Sequence, residues 1–310
     1  MKKTNYYFTL ILVLFTTIFS FINMFQIVSI SKNVISIVFN NLLPSLLPFM
    51  ILISLCLSLG LMQLFNYFIQ WLLCPLFHLT PIMSSIYFLS FFCGYPTNAK
   101  MIKESYEMGY LNIKQVQHLL SIASFSSLSF IFVSLKLDFY HALLIYLSHI
   151  IPSLIKALFY KEEYQYQNIK ETLTFIKEPH PSLILALKQS IISSIYAFIF
   201  ILGYMLVFQF VGYSLRLFIH NDFLLSVIQG LLEFSSGSIQ LLQYNHFLTY
   251  PLICFFLSFS GLSVLMQVDN LLEGIPYSFK TYFINRIIHA LFSFVLYFFL
   301  ELLTNMIFMI

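Results

Sequence analysis

Charge is what this sequence has least of: Asp, Glu, Lys and Arg together make 9% of its 310 residues. A soluble domain carries about a quarter, so this chain cannot coat a water-facing surface. The few charges nearly cancel, leaving a net +3. No basic cluster with interleaved aromatics is present, so no nucleic-acid partner is expected. Cysteine is scarce as well. Cys56, Cys74, Cys93 and Cys254 lie in apolar surroundings at no metal-ligand spacing and read as packing residues. The histidines show no zinc-like spacing, so neither metal nor cofactor is expected. A Gly-rich phosphate loop, a His-Glu-x-x-His helix and a Gly-x-Ser-x-Gly elbow are all missing. An enzyme or a primary pump is therefore disfavoured.

What is abundant is apolar. Hydrophobic residues make 60% of the chain, with 37 Phe and 20 Tyr, a composition that bilayer cores and aromatic belts accept. The length reads best as a count of membrane spans, each needing about 20 apolar residues. The fold class expected is an all-α integral membrane protein, a multi-span bundle in contact with the lipid bilayer.

Lys2 and Lys3 precede an apolar run from Tyr6 to Ile30 that has no small-x-small cleavage site, so an uncleaved first span is expected. A second span is expected at Leu43–Leu64 after polar Asn40 and Asn41, then an interfacial helix at Phe65–Leu79 carrying Trp71. Pro81–Ala99 is apolar but interrupted at Cys93–Asn98, and reads as a broken or re-entrant helix. Spans follow at Val116–Leu135 and Ala142–Tyr160. Lys161–Pro181, with Pro179 and Pro181 at its end, reads as a linker between halves.

The second half repeats this order. A long span at Leu183–Val211 precedes a segment, Phe223–Leu242, interrupted at Glu233–Ser238, and spans are expected at Tyr250–Val268 and Tyr282–Leu303. The chain thus divides into an N-terminal span (1–33), a first repeat (34–160), a linker (161–182) and a second repeat (183–310). Basic residues at the N-terminus, in Lys100–Lys114 and in Lys161–Lys177 all fall on one side of this topology, which the positive-inside rule makes cytoplasmic.

Ser124-Phe125-Ser126-Ser127-Leu128-Ser129 and Ser258-Phe259-Ser260-Gly261-Leu262-Ser263 agree at five of six positions. Each lies in the span after an interrupted segment, and the two cross in opposite directions. That is the pattern of inverted-topology repeats in secondary transporters. Broken backbone at membrane depth survives only against protein or a watery cavity. Two such breaks, rich in Ser, Thr, Asn and Gly, imply a polar cavity. Half-helix N-termini aimed into it favour an anionic small-molecule substrate.

The candidate substrate residues follow from the breaks: Gly94, Tyr95, Pro96, Thr97, Asn98, Ser124, Ser126, Ser127, Glu233, Ser235, Ser236, Gly237, Ser238, Ser260, Gly261 and Ser263. Lys100 is either a snorkelling cation at the interface or a substrate contact. Glu233 suits a functional or gating role, or else an ion pair. Gln267 could line the cavity, Arg286 is a topological cation or a ligand contact, and His289 reads as a hydrogen-bonded packing residue.

Gly94-Tyr95-Pro96-Thr97-Asn98-Ala99-Lys100 resembles the Gly-Tyr-Pro-x-Gly-Ala-Lys stretch of the YlbJ-type sporulation integral membrane proteins, within the wider nucleoside-recognition Gate domain group. Ser124–Phe132 is similar to that family's Asn-Thr-Ser-Ser-Pro segment, and Gly261-Leu262-Ser263-Val264 with Gln267-Val268 to its Gly-Leu-Ser-Val-x-x-Gln-Val stretch. Arg286 and His289 match its late Arg-x-x-His. The likeness runs from about Leu42 onward. Asn98 stands where the family has glycine, Ser124 for asparagine, Phe125 for threonine and Leu128 for proline. The resemblance implies a relative of concentrative nucleoside transporters in a bacterial membrane, moving dipicolinate across the outer forespore membrane. Nucleoside transport and a non-transporting scaffold of spore-envelope assembly are the alternatives. Oligomeric state is left open, a homo-oligomer included.

Overall fold

Helices form here wherever an apolar run is long enough to satisfy its own backbone groups, as lipid requires. Several stop at glycine or serine, as before Gly94 and Ser260. The computed structural model describes residues 3–177 and 180–308. Lys2 of the N-terminal basic pair and Pro179 of the linker lie outside them.

The helices in chain order begin with α1 (Lys3–Ile22) and α2 (Met24–Ile37), which passes through a π-helical turn at Val38–Leu42 into α3 (Leu43–Ser58). Then come α4 (Met62–Phe77), α5 (Pro81–Cys93), α6 (Thr97–Glu107), α7 (Ile113–Ile122) and α8 (Phe139–Leu158). A short α9 (Ile169–Lys177) precedes α10 (Leu183–Ser214), α11 (Asp222–Leu232), α12 (Phe234–Leu241), α13 (Thr249–Phe259), α14 (Gly261–Leu271) and α15 (Phe279–Phe308). Among the described residues there is no strand.

Among the described residues, five helical segments are long and apolar enough to cross a membrane: Met24–Ser58, Phe139–Leu158, Leu183–Leu217, Thr249–Leu271 and Phe279–Met306. The pair α4 and α5, bent by 93° at the residues between them, makes a sixth if taken as one broken span. The all-helical membrane architecture is as the composition implies.

Several boundaries differ from the sequence reading. The expected spans Tyr6–Ile30 and Leu43–Leu64 are instead a helix ending at Ile22 and one long segment, Met24–Ser58. Asn40 and Asn41 do not interrupt that segment, because the π-turn at Val38–Leu42 absorbs them without ending the helix. The expected span Val116–Leu135 is two pieces. α7 ends at Ile122, residues 124–127 are non-helical, and helix resumes at Leu128 only as a short stretch through the π-turn Phe130–Ser134. The expected span Tyr250–Val268 is likewise divided, at Ser260 and Gly261, both left-handed with φ of 75° and 71°.

Caps fix several starts. Asn112 and Gln115 form a capping box on α7. Ser182 and Asn221 cap α10 and α11. Asp138 caps α8 by accepting from the His141 backbone N–H at 3.0 Å, and that bond holds its carboxyl below the usual carboxylate range.

The linker is not a free strap. Trp71 and Tyr166 stack at 4.8 Å, and Gln70 exchanges hydrogen bonds with the backbone of Gln167 at 2.6 and 2.9 Å. Its first half is thereby docked on α4.

Candidate functional site

Four helix breaks meet in the interior. The first lies between α5 and α6, where Gly94 has φ 66° and the Tyr95–Pro96 bond is cis. A Cβ on Gly94 would stand 2.3 Å from the Ser127 backbone nitrogen. That close approach lets the Tyr95 N–H donate to the Phe125 carbonyl at 2.8 Å, so the first break is joined to the second, after α7. The third separates α11 from α12 at Glu233, and the fourth separates α13 from α14 at Ser260 and Gly261. A Cβ on Gly261 would come within 3.0 Å of the Phe234 nitrogen. Tyr95 and Phe234 then bring the two halves together, ring centroids 6.0 Å apart, while the Tyr95 hydroxyl donates to the Leu257 carbonyl. Ser126 reaches the same carbonyl at 3.4 Å.

Glu233 is placed as the N-cap of α12. Its carboxylate accepts from Ser235 N and Oγ at 3.1 and 2.6 Å and from Ser236 N at 2.8 Å. Fully buried, it is matched by the partial positive charge of the helix start. The break is therefore at Glu233 alone, and Ser235, Ser236, Gly237 and Ser238 are helical. Gly237 packs against Gly230, where a Cβ would lie 2.2 Å from the Gly230 Cα, so α12 folds closely back on α11.

Arg286 on α15 is the largest fully buried side chain, at 0% exposure. One guanidinium nitrogen donates to the Ser258 carbonyl and another faces His289 Nδ1 at 3.3 Å; Nε has no partner. The guanidinium carbon lies 5.9 Å from the centroid of the Tyr95 ring. No carboxylate pairs with Arg286 among the described residues. The Tyr282 hydroxyl, beside Ser124 and Ser260, makes no hydrogen bond of normal geometry. His289 is the hydrogen-bonded packing residue expected, donating from Nε2 to the His149 carbonyl at 2.8 Å.

His149 on α8 was not singled out by the sequence, and it joins the two serine motifs. Its Nε2 accepts from the Ser126 backbone N–H at 3.0 Å. Nδ1 must then carry the proton, and it donates to Ser258 Oγ at 2.8 Å. Ser258 donates onward to Ser293 at 2.7 Å. A lone histidine in an apolar run gives no periodic signal; only its two contacts mark it.

The remaining predicted residues divide. Thr97 and Asn98 open α6, Asn98 donating to the Ala123 carbonyl while the Thr97 hydroxyl is unpartnered. Pro96 is buried at the same turn. Ser124 bonds back to Leu120, and Ser127 accepts from Phe130 N. The Ser260 hydroxyl turns onto the Phe259 carbonyl. Ser263 accepts from Gln267, whose Oε1 is left unpartnered. Lys100 points elsewhere. It donates to Ser193 and Ser194 of α10 at 2.9 and 2.7 Å and lies 3.7 Å from Glu104. Lys100, Ser193 and Glu104 border a separate cavity of about 410 Å³, whose lining also includes Lys103, Glu107 and Glu273.

The chain is 22% identical to the sporulation integral membrane protein YlbJ of Bacillus subtilis (strain 168), over 85% of this chain and 74% of that protein. The two are distant homologues, and this chain, with its apolar spans, is an integral membrane protein related to a sporulation protein. No family profile matches the sequence, and no solved structure matches it.

Proposed function

We propose that the chain is a membrane transporter of a small anionic metabolite, with dipicolinate first among candidates, held at Arg286. The observation that carries this reading is a wholly buried guanidinium without a carboxylate partner among the described residues, at the meeting of four helix breaks. A buried cation left uncompensated is costly. An arriving carboxylate would supply the missing charge and an acceptor for Nε. The half-helix α14 starts at the same place with no side-chain cap, so its N-terminal dipole favours the same sign.

An inverted-repeat plan would suit transport. Both copies of the serine motif fall at helix breaks, and each follows a broken helix pair, α5 with α6 and α11 with α12. Distant kinship with a sporulation protein is consistent with a site of action in the forespore envelope.

One observation favours a second reading, a neutral nucleoside. Glu233 already occupies the N-terminus of α12, and the cavity beside Lys100 sets Glu104, Glu107 and Glu273 against Lys100 and Lys103. Uptake of radiolabelled dipicolinate and uridine by purified protein in liposomes separates the readings. Dipicolinate uptake supports the anion reading and uridine uptake alone the second. Uptake of neither leaves the scaffold role.

A further inference from the structure

Gln209 sits within the apolar run of α10 and Gln229 near the end of α11. Both are buried, and the side-chain nitrogen of each has no hydrogen-bond partner. They line one cavity of about 390 Å³. We propose that this cavity is a binding site for a small hydroxylated carboxylate, separate from the Arg286 site. It does not rest on the transport reading.

Four elements build the walls. Gln209 and Arg216 lie two turns apart on one face of α10, and Gln26 and Asn33 lie likewise on α2. Gln229 comes from α11 and Gln240 from α12. Gly212 lets α11 come this close, since a Cβ there would stand 1.6 Å from Gln229 Oε1. The amide oxygen of Gln229 is thereby held against α10, and its nitrogen is left unpaired. Arg216, Gln26 and Asn33 are exposed and form the mouth, with Gln209 and Gln229 as the floor. Because α10 crosses the membrane within Leu183–Leu217, Arg216 stands on the side opposite the linker.

The chemistry of the lining selects its ligand. Arg216 is its one charged group. No carboxylate pairs with Arg216 among the described residues, and its guanidinium carbon lies 5.8 Å from the centroid of the Tyr213 ring. Asp222, one turn before Leu225 on α11, is outside the lining. A guanidinium stacked on a ring keeps its edge N–H groups free, and that fork suits a carboxylate. Side-chain amides both donate and accept, as hydroxyl groups require of a partner. One carboxylate with several hydroxyls therefore matches the walls, whereas a second carboxylate would find no cation. Ile30 and Leu225 are the only aliphatic side chains in the lining, so an acyl chain has no bed there. The volume lies within the usual range of small-molecule sites, about 300–1,000 Å³. An occupant would tie α2 and α10 to the α11–α12 hairpin that carries Glu233.

The test is equilibrium dialysis of radiolabelled gluconate against the full-length protein in phosphatidylcholine nanodiscs. Gluconate has one carboxylate and several hydroxyls, and sorbitol is its uncharged counterpart. The parent should bind gluconate saturably, and sorbitol should compete roughly tenfold more weakly or worse. Arg216→Gln should weaken gluconate by about tenfold or more, the usual effect of losing a charge-assisted hydrogen bond. Should Arg216→Gln fail to fold, Gln209→Met removes an unpaired donor from the floor. It should weaken gluconate several-fold while raising the unfolding temperature of the empty protein. No saturable binding by the parent, or an affinity unchanged in Arg216→Gln or in Gln209→Met, overturns the proposal and leaves a water-filled cavity. Equal competition by sorbitol overturns the carboxylate. Loss of gluconate binding in phosphatidylglycerol nanodiscs overturns the soluble ligand and assigns the cavity to a lipid headgroup.

Discussion

Ser126 and Ser258, far apart in the sequence and in different halves of the chain, bind opposite nitrogens of the single His149 imidazole, at 3.0 and 2.8 Å. One is a backbone donor in a helix break, the other a side-chain acceptor just before another break. Around this bridge the two halves share the Leu257 carbonyl, the Tyr95–Phe234 ring contact and the buried Arg286. Any movement of one serine motif against the other must alter the imidazole's bonds.

Backbone proximity at the first break gives a comparison of two glycines. Gly94 and Gly109 both have positive φ, 66° and 78°, but a Cβ on Gly109 meets nothing within 4 Å. Gly109→Ala should cost only the left-handed strain, about 1–2 kcal/mol. Gly94→Ala adds a clash with Ser127 backbone and should cost several kcal/mol more or abolish folding. Thermal unfolding in detergent measures both, and equal losses would contradict the packed-break geometry.

Glu233 acts as a cap in this structure, which makes its charge partly dispensable. Glu233→Ala should lose about 0.5–2 kcal/mol of stability, the usual worth of an N-cap. Glu233→Gln keeps one acceptor and should retain uptake within a few-fold. A complete loss of uptake in well-folded Glu233→Gln would support the functional or gating role that the sequence suggested.

The Lys100–Glu104 pair lies apart from Arg286, with Ser54 donating to Glu104 at 3.0 Å. Removing one member leaves the other part-buried and unmatched. Lys100→Met should destabilise by about 1–3 kcal/mol, whereas Lys100→Met with Glu104→Leu should recover much of that loss. Double-mutant thermal unfolding checks it; strict additivity would show the pair uncoupled.

The linker's docking predicts an asymmetry. A short Gly-Ser insertion between Tyr164 and Asn168 breaks the Trp71 stack and the Gln70 bonds and should lower membrane yield. The same insertion between His180 and Ser182 should be tolerated. Cysteines placed in Lys161–Lys177 should label only from the cytoplasmic side, and labelling from outside intact cells would reverse the topology.

The broad architecture was legible because apolar length and broken periodicity are local properties. Gly94-Tyr95-Pro96 and Glu233 mark their breaks with residues that helices in lipid tolerate poorly. The break at Ser260 was hidden, since serine can bond within a helix and a left-handed serine leaves no trace in composition. Asn40 and Asn41 misled for the opposite reason: a π-turn accommodates them. His149 was invisible because its role depends on two partners from distant segments. Lys100 and Arg286 read alike as cations near apolar runs, and both are buried; only their partners, Glu104 with Ser193 and Ser194 for Lys100, tell them apart.

The most direct measurement is equilibrium binding of labelled dipicolinate to purified parent, Arg286→Gln and Lys161→Gln, each at equal folded amount. A charge-assisted hydrogen bond is worth about 1.5–3 kcal/mol, or roughly a 10- to 150-fold change in affinity. The account predicts that loss for Arg286→Gln and none for Lys161→Gln. Equal affinity in all three proteins would contradict an anion site at Arg286.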